Sequence, residues 1–205
     1  ELYVSDIPAG RDAPSGRCLH LGVSASGARY DALWKHVTAG LPVQAIPPVD
    51  VTIDGKPDDW KEKGLCVTSL PGPGGRMKAK ADFDPCFRLG WNQQGLVLLA
   101  QVADSVARES ADDNRLQRGD SLELFLTPKR GTPEGYRFVA TPGADPHQPG
   151  ARSRFDDYRK TTAGEKLTAE LATSKVPGGY VMEMLLPWKS LKIAPAVGQE
   201  FGMQL

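Results

Sequence analysis

Four aspartates lie on or beside one long irregular stretch of the chain. They are Asp104, Asp112, Asp113 and Asp120. Carboxylates combined with loop carbonyls suit Ca²⁺, which takes six to eight oxygen ligands. The twelve-residue pattern of an EF-hand is absent from the sequence. We therefore predict a calcium site built from Asp104, Asp113 and Asp120, with solvated aspartates as the alternative.

A second chemical cluster is the basic and aromatic segment ARSRFDDYRK at 151–160. Arginine binds carboxylates and sulfates with two parallel hydrogen bonds. A groove lined by Arg152, Arg154 and Tyr158 would suit an acidic or sulfated polysaccharide. The alternative is a loop in which the arginines pair with Asp156 and Asp157, and surface pairs of that kind contribute little stability.

Catalytic motifs are missing from the sequence. It contains no GxSxG, HExxH or P-loop pattern, and His20, His36 and His147 are scattered. Its cysteines are Cys18, Cys66 and Cys86, without CxxC or Cys/His ligand spacing. They are expected to be small buried side chains rather than zinc ligands. We predict a non-enzymatic domain.

Charge and hydropathy exclude several classes of partner. Twenty-five basic residues balance twenty-five acidic ones, so no footprint for nucleic acid is expected. The sequence contains no run of 18 apolar residues, so no membrane span is predicted. The first residues, ELYVSDIPAG, lack the pattern of a signal peptide, and the chain closes abruptly on FGMQL. We expect a segment of a longer protein.

The first 45 residues differ in pattern from the rest. Leu2–Ile7 and Cys18–Val23 predict two short strands, and Tyr30–Val37 has the apolar spacing of a short helix. A Pro-rich connector, QAIPPVD, follows at 44–50. We therefore divide the chain into an N-terminal extension or tail of a preceding domain, 1–45, and a domain at 46–205.

The domain at 46–205 has a strand-like pattern with short turns. The turn NQQG predicts a hairpin with Gly95 in the left-handed region, and two further hairpins follow along the chain. Strands without helical crossovers predict an all-β, antiparallel two-sheet β-sandwich. The predicted strands are Val51–Ile53, Arg88–Trp91, Leu96–Val102, Ser121–Thr127, Tyr136–Thr141, Leu167–Thr173, Tyr180–Leu186 and Phe201–Leu205.

Four segments together resemble the family 9 carbohydrate-binding modules and their DOMON-like relatives. They are IDGKPDDW at 53–60, FRLGWNQQGLVLLAQVADS at 87–105, RGDSLELFL at 118–126 and the stretch from 178 to 205. The resemblance implies a jelly-roll-like sandwich that binds oligo- or polysaccharide without catalysis, and a structural calcium ion. It also implies a larger secreted, periplasmic or cell-surface protein, with further family strands beyond residue 205, so that this domain is truncated.

The resemblance assigns roles to several residues. Glu123 matches a sugar-contacting glutamate of the family and Arg137 an arginine of the next strand, so the two are expected to pair. One of two tryptophans that sandwich the sugar in the family should lie at 116–118, where this chain has Leu116, Gln117 and Arg118. Gln117 is accordingly a candidate contact. Trp60 and Trp188 match packing residues.

Two other functions stay open at this point. A haem-binding relative on the same scaffold would use Met182, Met184, Met203 or Lys189 as axial ligands, although the methionines can equally fill the core. A structural or assembly sandwich without a ligand is the other alternative, and the absence of a tryptophan at 116–118 favours it.

Overall fold

The computed structural model describes the strands at 2–7 and 18–23 and residues 44–67, 83–129, 135–157 and 167–204. Within these ranges no helix is long and apolar enough to cross a membrane. The helix predicted at Tyr30–Val37 lies outside the described residues. The boundary predicted at residue 45 stays a prediction.

Antiparallel strands dominate the described chain. They are β1 (Leu2–Ile7), β2 (Cys18–Val23), β3 (Leu65–Val67), β4 (Phe83–Trp91), β5 (Gly95–Asp104), β6 (Leu122–Thr127), β7 (Tyr136–Thr141), β8 (Arg152–Asp157), β9 (Glu170–Val176), β10 (Gly179–Pro187) and β11 (Gly202–Gln204). A 3-10 helix covers Asp113–Arg118, and a single α-helical turn covers Trp188–Leu191.

The strands form two main sheets. The larger sheet has the order β3-β4-β5-β10-β9 and the smaller sheet the order β11-β6-β7-β8, while β1 pairs with β2 in a two-stranded sheet. All of these ladders are antiparallel. The prediction of an all-β, two-sheet antiparallel sandwich is confirmed, and so are the three hairpins β4–β5, β6–β7 and β9–β10.

The main core lies between the two sheets. Successive side chains of a strand point to opposite faces, so every second residue enters it. Strand β10 contributes Met182, Met184 and Leu186, and β6 contributes Leu122, Leu124 and Leu126. Trp188 closes the core beside these strands and is 8% exposed. Its packing role is confirmed.

A second, smaller core covers the outer face of the larger sheet. Val97, Leu99, Val181 and Leu185 project from β5 and β10 to this side, where the segment 44–64 packs over them. Trp60 from that segment is fully buried, as expected for a packing residue. Strands β5 and β10 therefore carry buried apolar side chains on both faces, which explains their nearly continuous hydrophobic sequences.

Two local predictions for this sheet were wrong. Val51–Ile53 is not a strand but part of the covering segment, in which the Thr52 N–H donates to Asp59 Oδ2 at 2.7 Å. Gly95 does not have a positive φ. Glycine is needed there because a Cβ would lie 2.2 Å from the Leu186 carbonyl oxygen on the neighbouring strand.

A third wrong prediction concerns residues 152–157, which form strand β8 instead of a loop. Phe155 turns inward and makes edge-on contacts with Tyr136 and Phe138, each with ring centroids 5.6 Å apart. Arg154 and Asp156 therefore face outward. Inward and outward residues do alternate in the sequence of this strand. The outward positions are charged, however, and only one inward position is strongly apolar, so the pattern did not indicate a strand.

Candidate functional site

A polar face occupies the outer side of the smaller sheet. We define it as Glu123, Phe125, Arg137, Arg154 and Asp156. Because Leu122, Leu124 and Leu126 point inward, the intervening residues of β6 point outward. Strand register places Phe125 opposite Arg137 and Arg137 opposite Asp156, so three strands contribute to one row of side chains.

Arg137 is the central residue of the polar face. Its Nε donates a hydrogen bond to Oε1 of Glu123, which confirms the predicted pair. Its guanidinium carbon lies 5.8 Å from the centroid of the Phe125 ring, within reach of a cation–π contact. The Arg137 side chain is 17% exposed, whereas Glu123 is 31% and Phe125 39% exposed. The arginine is thus more buried than the two residues that it contacts.

Arg154 and Asp156 extend the polar face on β8. Nε of Arg154 donates to Asp156 Oδ1 at 2.8 Å, and Nη1 donates to the Asn114 carbonyl at 3.0 Å. The Arg154 cation is therefore already neutralised by a neighbouring carboxylate. This is the pairing that we predicted as the alternative to polysaccharide binding. The pairing weakens the case for an acidic ligand at this position.

The 3-10 helix Asp113–Arg118 borders the polar face. It contacts β7 and β8, and its Leu116 is 2% exposed. Val139 points outward from β7 yet is also only 2% exposed, and the helix contacts this strand. Gln117, the predicted sugar contact, is exposed on this helix. Its side chain is therefore available beside the polar face.

Arg152 ties the loop 105–120 to the start of β8. Its Nη2 donates to the Ser110 carbonyl at 2.7 Å and lies 3.5 Å from Glu109 Oε2, while Nη1 contacts Asp113 Oδ1 at 3.0 Å. The Glu109 side chain is fully buried. Arg152 therefore has structural partners on two of its nitrogens, and a sugar contact by it stays a prediction. Tyr158 lies outside the described residues.

The three aspartates predicted as metal ligands have separate hydrogen-bond partners. Asp104 accepts from the Val106 N–H at 3.1 Å, Asp113 pairs with Arg152, and Asp120 accepts from the Arg108 N–H at 2.5 Å. Among the described residues no group of three or more His, Cys, Asp or Glu side chains is arranged to hold a metal ion. The predicted ligand set does not fit a calcium site in this arrangement, and calcium binding stays a prediction.

The candidate haem ligands do not converge. Met182 and Met184 are each 1% exposed in the main core, Met203 packs against it, and Lys189 is exposed on the helical turn. The methionines fill the core, as the simpler interpretation expected. Of the cysteines, Cys66 is exposed and Cys86 is partly buried, so the expectation of burial was wrong for Cys66.

Sequence reasoning missed Phe125 and Asp156 as members of the site. Phe125 is an aromatic residue at an outward position of an alternating strand, and that signal was readable. Asp156 was considered only as a loop partner for arginine. Its place opposite Arg137 depends on the pairing of β7 with β8, which the sequence does not reveal.

The sandwich and its polar outer face define a module of the carbohydrate-binding class. The carbohydrate family 9 binding domain-like family matches residues 53–205, and the chain belongs to this family. It is a family of binding modules rather than of catalysts. Among curated proteins, none matches this sequence.

Two solved structures share the fold. Both are of a carbohydrate binding module family 9 from Caldicellulosiruptor kristjanssonii. The complex with cellotriose matches with a TM-score of 0.56 and 21% identity, over 77% of this chain and 72% of that chain. The complex with glucose matches with a TM-score of 0.54 and 23% identity, over 78% and 75%.

Proposed function

We propose that this module binds uncharged gluco-configured saccharides on its polar face. The observation that supports this is the Arg137–Glu123 pair beside the exposed ring of Phe125. A carboxylate and a guanidinium together accept from and donate to neighbouring sugar hydroxyls. An exposed aromatic ring offers an apolar surface to the C–H groups of a pyranose.

The choice of an uncharged sugar follows from the pairing of the arginines. Arg137 contacts Glu123, and Arg154 contacts Asp156. An anionic ligand would have to displace these carboxylates or lie beside them, which like-charge repulsion opposes. We choose gluco-configured saccharides because the two similar solved structures are complexes with cellotriose and with glucose.

Isothermal titration calorimetry with cellotriose and glucose tests the proposal. Glu123→Gln and Phe125→Ala should each weaken binding, the former by about 10- to 100-fold if a hydrogen bond to a charged group contributes about 1.5–3 kcal/mol. Glu170→Gln, on the exposed edge strand β9 of the other sheet, is the matched control and should bind normally. If the wild-type protein binds neither sugar, a structural or assembly sandwich without a ligand is the better interpretation.

The wider setting is also part of the proposal. The domain itself would act as a non-catalytic targeting unit of a larger secreted or surface protein. Support comes from family membership and from the lack of catalytic motifs in the sequence. Incubating the purified domain with cello-oligosaccharides and measuring new reducing ends should show no hydrolysis.

A further inference from the structure

An end cleft lies away from the polar face, where β5 ends and β10 begins. It is lined by residues 104–109, the turn at 144–147 and the β9–β10 hairpin, and its volume is about 760 Å³. Small-molecule pockets typically measure about 300–1,000 Å³. None of the five residues of the polar face lines this cleft.

Two buried carboxylates hold the walls of the end cleft in place. The Glu109 N–H donates to Asp145 Oδ2 at 2.9 Å, and the Asp145 N–H donates back to Glu109 Oε1 at 3.2 Å. Glu109 Oε1 also accepts from the Ala144 N–H at 2.7 Å, and Asp145 Oδ1 accepts from the His147 N–H at 2.8 Å. These reciprocal bonds join the two wall loops, so the cleft is formed before any ligand arrives.

Tyr180 offers an unused hydrogen bond in the end cleft. The residue lines the cleft and is 5% exposed, and its hydroxyl makes no hydrogen bond within the described residues. The hydroxyl is not one of the fully buried polar atoms that lack a partner. Burial raises the pKa of Tyr180, and the charges of Asp120, Asp104 and Glu109 raise it further. The phenol therefore stays a neutral O–H donor.

Apolar contacts are available in the same cleft. Val106 is 59% and Val176 41% exposed, and both line it. They are two of the four large hydrophobic side chains that are exposed in the described part of the chain. Charges of both signs surround them, with Asp104, Arg108 and Lys175 among the lining residues. Since neither sign dominates, the cleft favours a neutral ligand that carries both polar and apolar groups.

We propose that the end cleft is a second carbohydrate-binding site, which takes one uncharged sugar residue. The valines would contact C–H groups of the ring, while the Tyr180 hydroxyl and the Asp104 carboxylate would bind its hydroxyls. The class of ligand is taken from the proposed function, so the inference rests on that function. The residues of the end cleft are separate from those of the polar face. The module would then bind two sugar residues at separate places on its surface.

Titration of ¹⁵N-labelled protein with glucose and with cellotriose distinguishes the two sites. Amide signals of Val106 and Gly178 report the end cleft, and those of Glu123 and Phe125 report the polar face. We expect two sets of shifts with different Kd values. Tyr180→Phe should weaken the cleft Kd by about 5- to 10-fold, the contribution of one neutral hydrogen bond, and leave the polar-face Kd unchanged. Glu123→Gln should do the reverse.

Several outcomes would overturn the second site. One such outcome is that the amide signals of the cleft do not shift while those of the polar face reach saturation. Another is that the cleft signals shift with the Kd of the polar face, and that Glu123→Gln weakens this response. If cleft amides alone respond, and Tyr180→Phe weakens that response, the second site stands and the polar face is wrong. If neither set responds to either sugar, both proposals fail.

Discussion

The indole nitrogen of Trp60 donates a 2.6 Å hydrogen bond to Oε1 of Glu183, a carboxylate that is fully buried in the middle of β10. Its Oε2 accepts from the N–H groups of Asp54 at 2.9 Å and Gly55 at 2.7 Å. Burial raises the pKa of Glu183, and these three hydrogen bonds oppose that shift. One side chain thus fixes the covering segment 44–64 to the outer face of the larger sheet.

Replacing Glu183 by alanine should strongly destabilise the fold. The buried N–H donors of Trp60 and Gly55 and the part-buried N–H of Asp54 would lose their acceptor, and each unsatisfied buried group costs about 1–3 kcal/mol. Partial entry of water reduces the sum, so we expect a loss of about 3 kcal/mol in the free energy of unfolding, measured by urea denaturation. Glu170→Ala on exposed β9 is the control and should change stability by less than about 0.5 kcal/mol. Similar losses in both variants would contradict this role of Glu183.

Asp145 should make stability depend on acid pH. The backbone N–H groups of Glu109 and His147 hold the pKa of Asp145 below its ordinary value. A lowered folded-state pKa gives stability that is present above the unfolded pKa of about 3.9 and is lost as pH falls through the folded value. Asp145→Asn should therefore be less stable than wild type at pH 7, and the difference should shrink towards pH 2. A pH-independent difference in urea midpoint would argue against this linkage.

Gly90→Ala should disturb the packing of the covering segment. A Cβ at Gly90 would lie 2.4 Å from Cγ2 and 2.6 Å from Cγ1 of Val49, which is 6% exposed. Overpacking of this kind costs about 1–3 kcal/mol. Val49→Ala removes the clashing methyls, so in that background Gly90→Ala should cost at least about 1 kcal/mol less, measured as a double-mutant cycle. Additive losses would show that the two residues do not interact.

A tryptophan at position 117 should strengthen sugar binding at the polar face. Gln117 is exposed on the 3-10 helix beside that face. Burying about 50 Å² of an added ring against a sugar contributes about 1 kcal/mol at ~25 cal/mol per Å², or about fivefold in Kd for cellotriose. Lys189→Trp, on the helical turn Trp188–Leu191, is the control and should leave Kd unchanged. Equal affinity of Gln117→Trp and wild type would place the bound sugar out of reach of residue 117.

Local sequence pattern determined much of this protein. The alternation of β6 separated Leu122 and Leu124 from Glu123, and the turns between apolar runs predicted the three hairpins. The family resemblance then predicted that Glu123 would pair with Arg137, and the structure confirms it. These features could be predicted because alternation has a period of two residues and a hairpin joins neighbours in sequence.

Tertiary structure alone decided the rest. The burial of Glu183 depends on donors more than 120 residues away in the chain. The completion of the polar face by Asp156 depends on the pairing of β7 with β8. The end cleft depends on loops that are far apart in the sequence and meet in the folded structure. Nothing in the local pattern fixes such long-range pairings, because the same alternating strand is compatible with several neighbours until the shared core selects one.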